Sequence, residues 1–107
     1  DAIETAAGAH VESTYADHPG RLGDPIYPTT HETAAAWLQT FLEQRFTRFG
    51  DYEDAIAAGE NWLWHGVLTP MLNIGLLTPG QVVDATLEHA AKHDVPLNSL
   101  EGLIRLK

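Results

Sequence analysis

The sequence predicts an all-α protein of five to seven short and medium helices, and three observations lead to this fold class. Two segments, 29–49 and 78–93, carry apolar residues at the three- and four-residue spacing of a helix face. No segment alternates apolar and polar residues over more than four positions, as a half-buried strand would. Glycines and prolines stand between the helical segments, where they predict turns.

Composition narrows the class of protein further. A length of 107 residues with 44% hydrophobic residues suffices for one domain with one core. Because the chain has no cysteine, it can supply no disulfide, no thiolate nucleophile and no iron–sulfur ligand, which fits a cytoplasmic protein. A formal charge of −9 disfavours DNA binding by this chain on its own, since phosphate backbones are repelled. We expect no membrane segment, because no apolar window is long enough to span a bilayer.

Residues 1–28 predict a weak helix followed by a loop. Residues 2–14 carry a faint helical stripe that Gly8 interrupts. Residues 15–28 are rich in glycine and proline, so we expect a long ordered loop there. Its large apolar side chains are expected to anchor the loop to the body of the protein; they are Tyr15, Leu22, Ile26 and Tyr27.

The segment that begins at Thr29 predicts the best-marked helix. Thr29 and Glu32 have the spacing of a capping box. We expect Trp37 and Phe41, which share the apolar face, to pack in the core rather than to form the wall of a cofactor site. Arg45 and Arg48 lie near the expected end of the helix, where the helix dipole favours cations. Gly50 is expected to terminate the helix.

Two further short helical segments are expected before the tryptophan-rich run. Asp51 is interpreted as the N-cap of a helix that continues to about Ala58. Glu53 and Asp54 then lie in its first turn, where capping explains their negative charges. Residues 60–65 are interpreted as another turn or two of helix.

The remaining helices are marked by their caps. Thr78 and Gln81 form a second capping-box pattern, which opens a helix that continues to about His93. After a proline break, Asn98 is interpreted as the cap of a last helix, with Glu101 three positions on.

The run 62–79 is the most informative part of the sequence. It is apolar enough to predict burial, yet two glycines and Pro70 exclude one continuous helix. Short helix starts present N–H groups that can bind anions, phosphate above all. Residues 65–69 are therefore a candidate anion-binding turn, with Thr69 capping the next helix. In the alternative interpretation, His65 is a core histidine with a satisfied hydrogen bond.

Metal binding and catalysis are only weakly indicated. His89 and His93 lie four residues apart, a spacing that two ligands of one metal ion can have. Glu88 points elsewhere on the helix, so a solvated face is the favoured interpretation. The sequence contains no Ser–His–acid arrangement and no glycine-rich phosphate loop. We therefore assign no catalytic residue and no metal ligand.

Five segments, at these spacings, resemble one family. They are 27–31, 41–45, 49–55, 64–79 (with Leu-Asn-x-Gly-Leu-Leu-Thr-Pro at its end) and 96–105 (Pro-Leu-Asn-Ser-Leu-Glu-Gly-Leu-Ile-Arg). Together they resemble the flavin-binding helical domain of the cryptochrome/photolyase superfamily. More narrowly, they are similar to its prokaryotic branch, the iron–sulfur (6-4) photolyases and bacterial cryptochromes.

The resemblance implies a set of FAD-binding residues. The family's turn that binds the flavin diphosphate and ribityl chain aligns with His65, Gly66, Val67, Leu68 and Thr69. Thr69 keeps the hydroxyl of that turn, whereas Gly66 removes one side-chain phosphate contact. Three further positions match family residues near the cofactor: Tyr52, one residue out of step, Asn73 and Arg105.

The resemblance also implies the organisation of the whole protein. Residues 29–107 correspond to the N-terminal part of the FAD-binding domain, so we expect a fragment whose antenna domain, iron–sulfur cysteines and remaining flavin pocket lie elsewhere. The parent would bind FAD and DNA, and would use blue light to repair a photolesion or to signal. The fragment alone is expected to bind flavin weakly or not at all, to be inactive as a lyase and to self-associate through exposed apolar surface.

Two other functions remain open on the sequence. The chain could be a stand-alone helical protein-interaction module without catalytic activity, with 62–79 as its binding groove. A weaker alternative is a metal-binding helical protein that uses His89 and His93.

Overall fold

The computed structural model describes residues 1–105, and its secondary structure within them is six α-helices without a strand. The helices are α1 (Ala2–Thr14), α2 (His31–Gln44), α3 (Phe46–Tyr52), α4 (Thr69–Asn73), α5 (Pro79–Lys92) and α6 (Leu97–Arg105). The all-α prediction is therefore confirmed. None of the helices in this part of the chain is long and apolar enough to cross a membrane.

The core lies between α2, α3, α5 and α6. Phe41 of α2 is fully buried and contacts the rings of Phe46 and Phe49, with centroids 5.8 and 5.7 Å apart. Because α2 places apolar residues three and four positions apart, one face of it is buried along its length. The other buried apolar residues are Ala34, Leu38, Leu42, Leu68, Met71, Leu77, Val82 and Leu103. Phe41 is thus a core residue, as expected, whereas Trp37 is only partly buried beside the core.

The first helix of the core is shorter than predicted, and its cap lies one residue later. Thr30 is the N-cap: its hydroxyl accepts the N–H of Thr33 at 3.2 Å, and the Thr33 hydroxyl accepts the N–H of Thr30 at 3.2 Å. The predicted box of Thr29 and Glu32 is wrong. The Thr29 hydroxyl instead donates to a carboxylate oxygen of Asp1 at 2.6 Å.

The predicted helix end at Gly50 is also wrong. α2 ends at Gln44, and Arg45 (φ −125°, ψ −23°) breaks the helix before α3 begins. After the break, Phe46 and Phe49 are buried in the core beside Phe41. Arg45 therefore sits at the junction, and Arg48 lies within α3.

Gly50 instead permits α3 to touch α6. A Cβ atom at residue 50 would lie 2.5 Å from the carbonyl carbon of Asn98, which is far inside van der Waals contact. The Gly50 N–H donates to the buried Ser99 hydroxyl at 2.8 Å, and that hydroxyl donates to the Thr47 carbonyl at 3.3 Å. Glycine here serves close packing rather than helix termination.

The region between α3 and α4 contains no helix, contrary to both predictions made for it. α3 continues through Asp51 to Tyr52, so Asp51 is not an N-cap, and residues 60–65 form turns. The Asp51 carboxylate accepts a hydrogen bond from Nδ2 of Asn98 at 2.6 Å. Gly59 has a φ of 82°, which fits a turn but not a helix.

The last two helices match their predictions more closely. In α5, the Thr78 hydroxyl accepts the N–H of Gln81 at 3.2 Å, and the Gln81 side chain accepts the N–H of Thr78 at 2.8 Å. The predicted capping box is therefore confirmed, and the helix ends at Lys92, one residue before the expected end. α6 begins at Leu97, so Asn98 lies in its first turn rather than at its cap.

Residues 1–28 form an arm at one end of the protein. α1 has the predicted limits but no buried residue, and the following loop is exposed through Tyr27. The expectation that four apolar side chains anchor the loop is wrong for Tyr15, Leu22 and Ile26, which are exposed. Only Tyr27 reaches the body, where its ring lies 6.2 Å from that of Trp37.

Candidate anion-binding pocket

A pocket of about 400 Å³ lies where the end of α3, the loop before α4 and the end of α6 meet. Its lining brings together residues from three parts of the chain that are far apart in sequence. They are Phe49, Glu53, Asp54, His65, Gly66, Val67, Leu68, Thr69, Leu103 and Arg105. Six of the eight residues predicted for the FAD site thus line one cavity.

The loop before α4 has an unusual backbone conformation. Leu63 and Val67 both have positive φ angles, 43° and 51°, and both carry Cβ atoms. For a β-branched residue such as Val67 this region is a true outlier, which costs about 1–3 kcal/mol. Strain of this kind persists only where neighbouring contacts hold the backbone, and it is common at ligand sites.

Two side-chain hydrogen bonds hold this loop. The indole Nε1–H of Trp37 donates to the Gly66 carbonyl at 3.2 Å. Nε2 of His65 lies 3.1 Å from the Ala55 carbonyl oxygen. Because a carbonyl only accepts, His65 carries a proton on Nε2 and donates. His65 is therefore partly buried with a satisfied hydrogen bond and also lines the pocket, so the two interpretations left open by the sequence are compatible.

The backbone N–H groups of this loop have no partner among the described residues. Within residues 1–105, the N–H groups of Gly66, Val67, Leu68 and Thr69 make no hydrogen bond. Val67 has a left-handed φ, and Leu68 follows with right-handed helical angles (φ −93°, ψ −17°). Successive residues of this kind bring their N–H groups to one side and form a concave anion site.

Charge in the pocket is mixed. Arg105 contributes a cation, whereas Glu53 and Asp54 contribute two carboxylates. Oε2 of Glu53 is buried and has no hydrogen-bond partner within residues 1–105. An anion in this pocket would therefore be attracted by Arg105 and the loop N–H groups and repelled by the two acids.

Four lining residues were not predicted from the sequence: Phe49, Glu53, Asp54 and Leu103. The two acids were expected in the first turn of a helix, but no helix begins at residues 51–54. They reach the pocket because α3 packs on α6, and no local pattern in the sequence signals that contact.

Two of the predicted site residues lie outside the pocket lining. The Tyr52 side chain is exposed and its ring lies 6.3 Å from that of Trp64. Asn73 is exposed at the end of α4. Thr69 lines the pocket but does not cap α4, because it is the first helical residue and Leu68 precedes it as the N-cap.

The histidine pair of α5 lies apart from this pocket. The rings of His89 and His93 stack with centroids 4.2 Å apart. Burial, followed by the neighbouring His93, holds the pKa of His89 below its usual range, and Glu43 opposes both effects. No group of three or more histidine, aspartate or glutamate side chains in residues 1–105 is arranged to hold a metal ion.

No protein-family model matches the chain. It is similar to a (6-4) photolyase of Agrobacterium fabrum, with 30% identity over 95 residues, which is 89% of this chain and 19% of the photolyase. It is also similar to an uncharacterized protein of Acanthamoeba polyphaga mimivirus, with 42% identity over 55 residues, which is 50% of this chain and 43% of that protein. The chain thus spans less than half of each relative, and the first similarity supports a photolyase-like relationship.

Proposed function

We propose that the chain is a segment of a photolyase-like flavoprotein and that its pocket receives the diphosphate of FAD. One observation carries the proposal: residues 66–69, whose N–H groups make no hydrogen bond within residues 1–105, and Arg105 line the same cavity. A diphosphate needs several donors and a positive charge at one place. The similarity to a (6-4) photolyase supports the choice of a flavin dinucleotide over other phosphorylated ligands.

The residues present fit the diphosphate better than they fit the whole cofactor. A volume of about 400 Å³ is at the lower end of ligand pockets, which suits one part of a dinucleotide. The donors are the N–H groups of residues 66–69, the Thr69 hydroxyl and the Arg105 guanidinium. FAD, when bound, supplies the isoalloxazine that absorbs light and transfers an electron. We propose Tyr52 and Asn73 as outer residues of the same site.

The activity of the whole protein is part of the same proposal. A photolyase-like parent would act on DNA, either by light-driven repair of a photolesion or in blue-light signalling. The chain's formal charge of −9 makes it a poor DNA-binding surface, so we propose that it contributes cofactor binding rather than DNA contacts.

Calorimetric titration with three ligands tests the diphosphate site. FAD and ADP share a diphosphate, and riboflavin has the flavin ring without phosphate. We expect FAD and ADP to bind and to compete, and riboflavin to be silent. Arg105→Gln should weaken both by roughly fivefold, whereas Lys92→Gln, at a surface cation paired with Glu88, should change neither. Binding of riboflavin with the same affinity as FAD would refute a phosphate-directed site.

Several large apolar side chains are exposed. The side chains of Ile56, Ile74 and Leu97 are 97%, 69% and 74% exposed. Such residues are ordinary singly but favour association when they are grouped. We propose that the chain self-associates through such surface, as expected of a fragment, and keep the helical interaction module as the alternative function. Sedimentation should show a mass that rises with concentration in the wild type and stays monomeric in a variant with serine at all three positions.

A further inference from the structure

We propose that Trp37 is a positioning residue for the anion site, because its indole fixes the peptide unit that presents the Val67 N–H. This inference rests on the proposed function and assigns a role to a residue outside the pocket lining. Trp37 lies on α2, and its Nε1–H donates to the Gly66 carbonyl at 3.2 Å.

The geometry of the peptide bond carries the inference. The Gly66 carbonyl and the Val67 N–H belong to one peptide unit, and the described chain has no cis peptide bond. In a planar trans peptide the C=O and N–H bonds point in opposite directions. An indole that draws the Gly66 carbonyl towards α2 therefore turns the Val67 N–H away from α2. The pocket is lined by residues of α3, α6 and this loop and by none of α2, so we infer that it receives the Val67 N–H.

The strained backbone makes such a hydrogen bond necessary. A flip of the Gly66–Val67 peptide would relieve the positive φ of Val67, and would turn its N–H out of the pocket. The indole bond opposes the flip. Phe41, which lies on α2 like Trp37, packs against Gly66. Its ring is 3.4 Å from the position that a Cβ atom of residue 66 would occupy. Thus α2 supplies both the hydrogen bond and the packing that hold this peptide.

Trp37 also belongs to an aromatic cluster, which provides a matched control. Its ring lies 5.8 Å from that of Trp62 and 6.2 Å from that of Tyr27. The indole of Trp62 makes no hydrogen bond within the described residues. Trp62→Phe therefore disturbs the cluster but leaves the bond to Gly66 in place.

The test compares Trp37→Phe with Trp62→Phe by amide NMR and by FAD titration. A second substitution at position 37, benzothienylalanine, keeps the bicyclic shape and replaces the N–H with sulfur. We expect both Trp37 variants to shift the Val67 amide resonance without ligand and to weaken FAD binding about fivefold, as loss of one hydrogen bond predicts. Trp62→Phe should leave the FAD affinity within about twofold of the wild type.

Each outcome decides a separate point. Wild-type FAD affinity in the benzothienylalanine variant, or an unmoved Val67 amide, would overturn the role of Trp37. If the wild type itself binds no FAD, the proposed function fails, and the ligand-free Val67 amide still decides whether Trp37 holds the peptide.

Discussion

The α3–α6 contact and the loop before α4 differ in backbone conformation and in backbone hydrogen bonding. At the contact, Gly50 lets two helices touch, and the buried Ser99 hydroxyl satisfies the Gly50 N–H. In the loop, Val67 takes a strained left-handed conformation and four successive N–H groups have no partner within residues 1–105. Both regions border the same pocket. We call the α3–α6 contact its rigid wall and the loop 65–69 its binding wall.

The difference separates a tightly packed contact from the loop that we propose binds a ligand. Buried backbone groups are normally hydrogen-bonded, so an unpaired set at a pocket is explained best by a ligand. The backbone strain at Val67, about 1–3 kcal/mol, persists only because the neighbouring helices hold the loop in place.

The largest effect is expected at the rigid wall. Gly50→Ala would place a Cβ 2.5 Å from a backbone carbon and 2.7 Å from the side-chain Cγ of Asn98, so α3 and α6 must separate. We expect a loss of about 3 kcal/mol or more in the free energy of unfolding, measured by urea denaturation. Gly8→Ala, in open space on α1, is the matched control and should not destabilise the protein. Equal effects of the two substitutions would contradict the close-packing role of Gly50.

A smaller effect is expected on ligand affinity rather than stability. Glu53 places a buried, unpartnered carboxylate oxygen at the pocket, where it repels an anion. Glu53→Gln should therefore raise the affinity for FAD and for ADP by roughly fivefold. Asp54→Asn should give a weaker increase in the same calorimetric titration, because Asp54 is exposed and its charge is screened by solvent. A fall in affinity for Glu53→Gln would show that this carboxylate supports ligand binding.

Relief of strain should stabilise the binding wall slightly. Val67→Gly removes the Cβ that disfavours a φ of 51°, so we expect a gain of about 1 kcal/mol in the free energy of unfolding. Val83→Gly, at a helical position of α5, should lose about 1 kcal/mol or more. Thermal or urea unfolding of the pair gives the sign directly. A loss at both positions would mean that Val67 is not strained in solution.

The smallest effect concerns the histidine pair on α5, which belongs to neither wall. His89 faces Phe46 and His93, and Glu43 lies near enough to oppose the lowering of its pKa. Because the folded pKa is below the usual value of about 6.5, the folded state disfavours protonation. Its stability should be complete above that value and fall slightly as the pH drops through the folded pKa. Urea midpoints across this range should show the decline in the wild type and not in His89→Gln, whereas His10→Gln on the exposed α1 should keep it.

Local signals in the sequence predicted some elements well. α5 follows from a capping box and an apolar stripe that lie within one segment, so its start and its limits were predictable. The break between α2 and α3 was not, because it depends on burying Phe46 and Phe49 beside Phe41, a tertiary contact. Apolar spacing alone allows a straight helix there.

The candidate site shows the same division. Residues 65–69 and Arg105 were predicted, since the broken apolar run and the family resemblance mark them in sequence. Glu53 and Asp54 were assigned to a helix start that does not exist. They enter the pocket through the α3–α6 contact, which depends on the glycine at position 50 and on Ser99. The predicted site carried one positive charge, from Arg105. Packing of α3 on α6 adds the two carboxylates, so the formal charge of the pocket lining is negative.

The most direct test of the anion site is a pyrophosphate titration of the full chain, followed at the backbone amide resonances. We expect saturable shifts at Gly66, Val67, Leu68 and Thr69, with smaller ones near Arg105, and little change on α1. The ¹⁵N resonances of these four amides report N–H groups that have no internal partner within residues 1–105. The opposite result, shifts that do not saturate or that centre on surface cations such as Arg21 and Lys92, would contradict an anion site in this loop.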